Sequence, residues 1–294
     1  MLKALIIRNI KIFLRNKATL LFTCVSPLII LVLYTMFLRK MYVSHTEGGY
    51  WDSSSSIPTE LAKRIVDGWL IAGVLSVSIM SVALNSCFIM AADKQNGVVN
   101  DLTASPVNPL TVTAAYYISS LILTLAVSGA LLAAAFIYCA CGGATYTAAD
   151  VFLIICNLIV SALSAVAAMT LVMGFFRSLA AAGAFSGVFS VMIGFFTGAF
   201  MPLSWFPQGL VKAATLVPGA HSANLFRRFF MLSQAVDLPA ATQERITGHF
   251  ILTPQFVGAE ISVGAEFAVL AASVLFFLAL SVIVGLVKRR NKRR

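Results

Sequence analysis

The chain has 294 residues, of which 60% are hydrophobic and 11% charged, and its mean hydropathy is +0.93. These values exclude an ordinary soluble domain. A net charge of +10 can mark a nucleic-acid binder, but here the basic residues flank long apolar runs, which speaks against that reading. Six runs hold no Asp, Glu, Lys, Arg or His: Ala18–Leu38, Trp69–Ala92, Ala114–Cys139, Val151–Phe176, Leu179–Met201 and Phe267–Val287. A membrane helix needs roughly 20 apolar residues. The pattern therefore predicts an all-α integral membrane protein of six transmembrane helices, in a single domain over residues 1–294.

Residues 1–17 predict an amphipathic interfacial helix. Arg8, Lys11 and Arg15 share one stripe, while Leu2, Leu5, Ile6, Ile10, Ile12 and Phe13 cover most of the remainder. After the first span, Arg39–Gly68 is polar and turn-rich, as expected of a lid or partner contact. In the second span, Ser78, Ser81 and Asn85 lie on one face and offer hydrogen-bonding groups to a path.

Residues 93–109 follow. A short rigid helix here, projecting into the cytoplasm, could wedge into a soluble motor and pass its movement to spans two and three. Asp93, Lys94 and Asp101 are its candidate charge partners, Val98, Val99 and Leu102 its apolar knob, and Gly97 its turn. Spans three and four are joined at Gly142-Gly143, and spans four and five at Arg177-Ser178.

Span five has two unlike faces. Gly183, Gly187, Gly194 and Gly198 fall within about 60° of one another on a helical wheel, and small residues let another backbone approach. Phe185, Phe189, Met192, Phe196 and Phe200 cluster opposite, where they line an adaptable apolar path or face lipid. Residues 202–266 form the last outer segment. Trp205–Val217 predicts a short re-entrant helix packed on protein, with Trp205 and Phe206 as an outer gate. Arg227-Arg228 are placed at the outer surface, and Ser233–Gly258 is expected to cap the outer mouth.

With both ends inside, the inner segments carry 13 basic residues against two acidic ones, and the outer segments eight against nine. The positive-inside rule then puts both termini in the cytoplasm of an inner or plasma membrane. The ionisable groups lie between spans or at the ends, so a proton- or ion-coupled carrier is disfavoured, because its coupling ion must bind at membrane depth. No GxxxxGK[ST] loop, Ser/His/Asp set or HExxH occurs. The five cysteines sit in or at the edges of spans without metal-ligand spacing. The chain is expected to be no enzyme by itself and to bind no cofactor or metal.

The order of the segments resembles one family. The loop Asp93-Lys94-Gln95-Asn96-Gly97-Val98-Val99-Asn100-Asp101-Leu102, running to Ser105-Pro106-Val107, resembles the coupling segment of type-2 permeases of ATP-binding-cassette exporters. Gly198-Ala199-Phe200-Met201-Pro202-Leu203-Ser204-Trp205-Phe206-Pro207, then Leu216-Val217-Pro218-Gly219 and Arg227-Arg228, is similar to that family's fifth-span exit and re-entrant return. Gln95 and Val98 stand where many members carry an acidic residue and a threonine, which blurs the subfamily and the substrate.

The resemblance implies a membrane subunit moving an amphipathic or hydrophobic cargo, with spans two and five lining the path. It also implies two copies of a separate ATPase subunit carrying ATP and Mg, and a second copy of this chain or a related permease, within membrane lipid. A secondary carrier or channel and a non-transporting scaffold or sensor are the alternatives.

The topology has a direct test. Labelling from outside should reach cysteines placed at Ser54 and Gln243 but not at Asn96 or Asn291; outside labelling at Asn96 would sink the six-span arrangement.

Overall fold

A computed structural model describes residues 1–47, 57–104, 107–202, 205–236, 238–250 and 262–292. Among them there is no strand. The helices are α1 (Leu2–Arg15), α2 (Lys17–Leu33), α3 (Arg39–Glu47), α4 (Thr59–Gln95), α5 (Val98–Ala104), α6 (Pro109–Cys141), α7 (Ala148–Met173), α8 (Leu179–Phe196), α9 (Gln208–Ala214), α10 (Pro218–Phe230), α11 (Ala240–Phe250) and α12 (Val263–Lys292).

Five of them, α4, α6, α7, α8 and α12, are long and apolar enough to cross a membrane. The first predicted span is met differently. α2 carries Pro27 and gives way at Tyr34 to a π-helical turn, Tyr34–Leu38, before α3. Prolines and π-turns are the usual causes of helix bends. The connection read as a lid is therefore helical from Arg39 to Glu47 and again from Thr59; residues 48–56 lie outside the described set.

α4 is the axis of the bundle. It packs against α6, α7, α10, α2, α8 and α3, and 83% of its apolar window is buried inside the protein. It begins ten residues before the predicted span at Trp69 and takes Asp67 inside with it. Burying a carboxylate demands a partner, and each end of α4 has one. At one end Arg39 Nε and Nη2 donate to Asp67 Oδ1 and Oδ2 at 2.6 and 2.7 Å. At the other, Arg8 Nη1 and Nη2 donate to Asp93 Oδ2 and Oδ1, both at 2.7 Å. The stretch between the two aspartates is about 39 Å long at 1.5 Å per residue, close to the roughly 40–45 Å of a bilayer with its headgroups.

The Arg8 contact corrects the reading of the interfacial helix. α1 forms where expected, but Arg8 turns from the basic stripe to Asp93, and Asn9 and Phe13 are buried against the bundle. Asn9 Nδ2 donates to Ser119 Oγ of α6 at 3.2 Å. The face presented outward is mixed, with Leu2, Ile7, Ile12 and Leu14 exposed beside Lys3, Lys11 and Arg15.

Local signals set the other helix ends. α7 opens with a capping box between Thr147 and Asp150, and α8 opens on the Ser178 side chain, which together satisfy amides that have no partner within their helix. α6 closes in a Schellman turn: Gly143 has φ +74°, and the Ala144 amide donates to Cys139 O at 3.0 Å.

α10 is the largest departure from the sequence reading. The outer segment was expected to re-enter through Trp205–Val217. Instead α9 is seven residues long with only Ala214 buried, and the helix that enters the bundle is α10, buried along nearly its whole length. Its Gly219 faces Ile193, Thr197 and Met80, and its far end at Phe230 lies against Gly68. Met80 is midway between Asp67 and Asp93, so α10 starts at the middle of α4 and runs toward its Asp67 end.

The Arg8–Asp93 pair should behave as a unit. A double-mutant cycle of Arg8→Ala and Asp93→Ala, read by thermal unfolding of the solubilised protein, should give a coupling energy of about 1–3 kcal/mol. Strict additivity would show that α1 is not held this way.

Candidate functional site

The segment expected to meet the motor is built around the last turn of α4. Asp93 is 4% exposed and, besides Arg8, accepts from Tyr116 OH of α6 at 2.6 Å. The carboxylate's hydrogen bonds raise the Arg8 guanidinium above its ordinary pKa; Asp67 does the same for Arg39. Lys94 Nζ donates to the carbonyls of Met173, Gly174 and Phe176 at 3.2, 2.6 and 3.2 Å, placing a cation on the C-terminal end of α7 where it is electrostatically favoured. Gln95 Oε1 accepts from the Leu179 amide of α8 at 2.7 Å. Two of the three predicted charge partners thus turn inward. Asp93, Lys94 and Gln95 bind α1, α6, α7 and α8 into one foot.

Beyond the foot the chain turns at Gly97, φ +77°, a conformation that costs other residues about 1–2 kcal/mol. α5 then leaves Asn100 and Asp101 exposed, with Val98 half-buried. Val99 and Leu102, read as a knob, line a cavity of about 200 Å³ together with residues of α4, α6, α7 and α12.

The predicted path residues separate. Ser78 is buried and its hydroxyl donates to Val74 O within its own helix. Ser81 is half-buried. Asn85 lines a cavity of about 370 Å³, joined there by Ser86 and by Asn16, Thr19 and Thr23 from the α1–α2 junction. Phe185 stacks between Phe176 and Phe189, and both Phe185 and Phe189 pack against the core. Met192 is exposed, while Phe196 packs with Phe206 around Ala214 and Ala220. Trp205 is 51% exposed and its ring lies 6.1 Å from that of Tyr42.

The four glycines do not form one face. Span five ends at Phe196 rather than Met201 because Gly198, φ +64°, closes a Schellman turn. Ala199 N donates to Gly194 O at 2.9 Å and Gly198 N to Phe195 O at 3.0 Å. Gly194 seats the Phe200 ring, which would lie 2.2 Å from an added Cβ, whereas Gly183 and Gly187 face open space.

A second polar centre went unseen in the sequence. Arg227, expected at the outer surface, is fully buried. Its Nη2 donates to Thr197 O and Gly198 O at 2.7 and 2.8 Å, and Tyr34 OH of the π-turn donates to Ala199 O. The Schellman turn is therefore held from two sides. Nearby, Glu266 is fully buried; its Oε1 accepts from Asn224 Nδ2 at 3.1 Å, and Oε2 lies 3.5 Å from Arg228 Nε. The interior is not free of charge, as the six runs implied. The sequence signal was the placing of Asn224, Arg227 and Arg228 among Leu225, Phe226, Phe229 and Phe230 in one thirteen-residue segment.

With this geometry in view, the family profile of the ABC-2 type transporters matches residues 1–231. The chain belongs to that family. No curated protein sequence matches it. ABC-2 membership makes the chain a membrane transport component that is not itself catalytic, of a family that implies an ATPase partner and a usually dimeric arrangement. It also replaces the absence of buried charge as the ground for setting a secondary carrier aside. The match ends at Met231, just past α10, so the ABC-2 region contains the foot, α5 and the Arg227 turn.

Gly194 offers a steric test within this ABC-2 protein. Gly194→Ala should destabilise the purified protein by about 1–3 kcal/mol through overpacking on Phe200. Gly129→Ala, in open space within α6, should stabilise by about 0.5–1 kcal/mol. Equal thermal shifts for the two would remove Phe200 from its seat.

Proposed function

We propose that this permease exports an amphipathic or hydrophobic cargo, such as a drug, a lipid, a peptide or a glycan-lipid, from the cytoplasm or inner leaflet. Two copies of a separate ATPase subunit, holding ATP and Mg, dock beneath α5. A second copy of the chain, or a related permease, completes the path; Gly183 and Gly187, with open space before them, are where it approaches. Both termini are cytoplasmic, which sets the foot on the ATPase side.

The observation that carries this reading is the foot. A motor that moves α5 through Asn100, Asp101 and Val98 moves a segment joined at Gly97 to the end of α4. There Asp93, Lys94 and Gln95 already hold four other helices. Rigid contacts of this kind pass displacement on instead of absorbing it. Cargo reaches the path through the 370 Å³ cavity, whose Asn85, Thr19 and Thr23 suit an uncharged polar group on an otherwise apolar molecule. It leaves past Trp205 and Phe206.

The buried Glu266, Arg227 and His221 favour one rival, an ion-coupled carrier. Transport by the permease reconstituted without any ATPase would establish it.

The coupling role is tested at the turn. Gly97→Pro removes the φ +77° conformation but lies outside the buried core. It should leave expression and dimer formation intact while abolishing cargo-stimulated ATP hydrolysis in the reconstituted complex. Stimulation at the wild-type level would reduce α5 to a connector.

A further inference from the structure

α10 enters the bundle without a side-chain cap. Its N-cap position is Val217, and Pro218 opens its first turn. Against that turn lies a cavity of about 10 Å³, lined by Gly219 and Ser222 of α10, Ser76 and Met80 of α4, and Ser161 and Ser164 of α7, among others. Ser76 stands nine residues past Asp67, about 14 Å along the axis, well inside the stretch that matches a bilayer. At that depth no bulk water supplies a missing hydrogen bond.

Three of the four hydroxyls have already committed their protons. Ser76 Oγ donates to Ala72 O at 2.9 Å, and Ser161 Oγ to Asn157 Oδ1 at 3.1 Å. Ser273 Oγ of α12 donates to Leu270 O at 2.6 Å, which leaves Ser164 Oγ to donate to Ser273 Oγ, also at 2.6 Å. Each of the three lining oxygens then has only lone pairs to offer. Ser222 differs. It is 3% exposed, and its hydroxyl meets no partner among the described residues, although its carbonyl accepts from Asn157 Nδ2 at 3.1 Å. A hydroxyl buried in this way is costly unless something binds it.

The site calls for an occupant that accepts one hydrogen bond and donates others. About 10 Å³ is the least that admits one water, which needs two to four polar partners. A chloride ion would face three oxygens that present lone pairs. A sodium ion would face the positive end of α10 with no carboxylate among the lining residues. Water meets both demands.

We propose that one water molecule is bound here, accepting from the Ser222 hydroxyl and donating to two of Ser76, Ser161 and Ser164. It joins the inner end of α10 to α4 and α7, as Arg227 joins the same helix to the α8 turn further out. The site is independent of the cargo and of the ATPase reading.

Radicals formed from a bound water under a brief X-ray pulse oxidise the side chains beside it, and methionine is readily oxidised. Met80 lines the cavity; Met169 is likewise buried in the same core but does not. The test irradiates the full chain purified in mild detergent and reads oxidation by mass spectrometry. Met80 should be oxidised and Met169 left unmodified. Ser222→Val, and separately Ser76→Val from the α4 side, should fill the cavity and lose the Met80 signal, while the exposed Met41 is oxidised as before. The two variants act from different helices, so either one that folds serves the test. The melting temperature of the wild type should not change when potassium replaces sodium, or gluconate replaces chloride, at constant ionic strength. Met80 as unmodified as Met169 in the wild type would overturn the proposal, as would Met80 oxidation retained in a folded filling variant. A melting temperature that depends on sodium or chloride would put an ion in place of the water and overturn it as well.

Discussion

Two carboxylates on one buried helix dictate much of this architecture. α4 crosses the bundle with Asp67 near one end and Asp93 near the other, 6% and 4% exposed, and no charge between them. A carboxylate taken out of water costs several kcal/mol unless it is paired and hydrogen-bonded. Each is therefore met by a two-pronged guanidinium from the segment that precedes α4: Arg8 of α1 and Arg39 of α3. These contacts tie α1 and α3 to opposite ends of α4, and the charge-free stretch between them is about as long as a bilayer is thick. α2, α3, α6, α7, α8 and α10 pack against the beam so defined.

The beam gives the two ends different work. At the α1 end, the residues after Asp93 reach sideways to α7 and α8, so the turn that leads to α5 cannot move without its neighbours. At the opposite end, α10 enters to the level of Met80, and its Arg227 takes the carbonyls that the α8 Schellman turn leaves open. A buried arginine is costly to keep. Here it holds a helix end that would otherwise expose unsatisfied carbonyls inside protein. The two centres lie at opposite ends of α8, which packs against α4.

The spans were legible because membrane solvation writes itself into sequence: a charge-free run of sufficient length reads as one helix whatever it later packs against. The Gly142-Gly143 turn, α1 and the position of α5 were legible for similarly local reasons. What the sequence concealed depends on partners far along the chain. Asp93 and Lys94 read as free charges because Arg8 lies 85 residues away and Gly174 80 residues away. Gly198 looked like one more member of a glycine stripe, since periodicity cannot register that the helix stops two residues earlier. Arg227 read as a surface residue because a basic pair after an apolar stretch usually is one; its acceptors, Thr197 and Gly198, are themselves products of that unseen turn. Phe189 shared a wheel face with a predicted path, but its ring found Phe185.

The central claim is that α5, the α4 foot and the α7–α8 turn move as one body when the motor acts. Spin labels at Asp101 and Arg177 report on that body, and a pair at Asp101 and Gln243 spans it and the far side. Double electron–electron resonance on the assembled, reconstituted complex, with and without nucleotide, measures both distances. The account predicts that Asp101–Arg177 stays fixed while Asp101–Gln243 shifts on nucleotide binding. A shift in Asp101–Arg177 with Asp101–Gln243 unchanged would mean that α5 moves alone, and would contradict it.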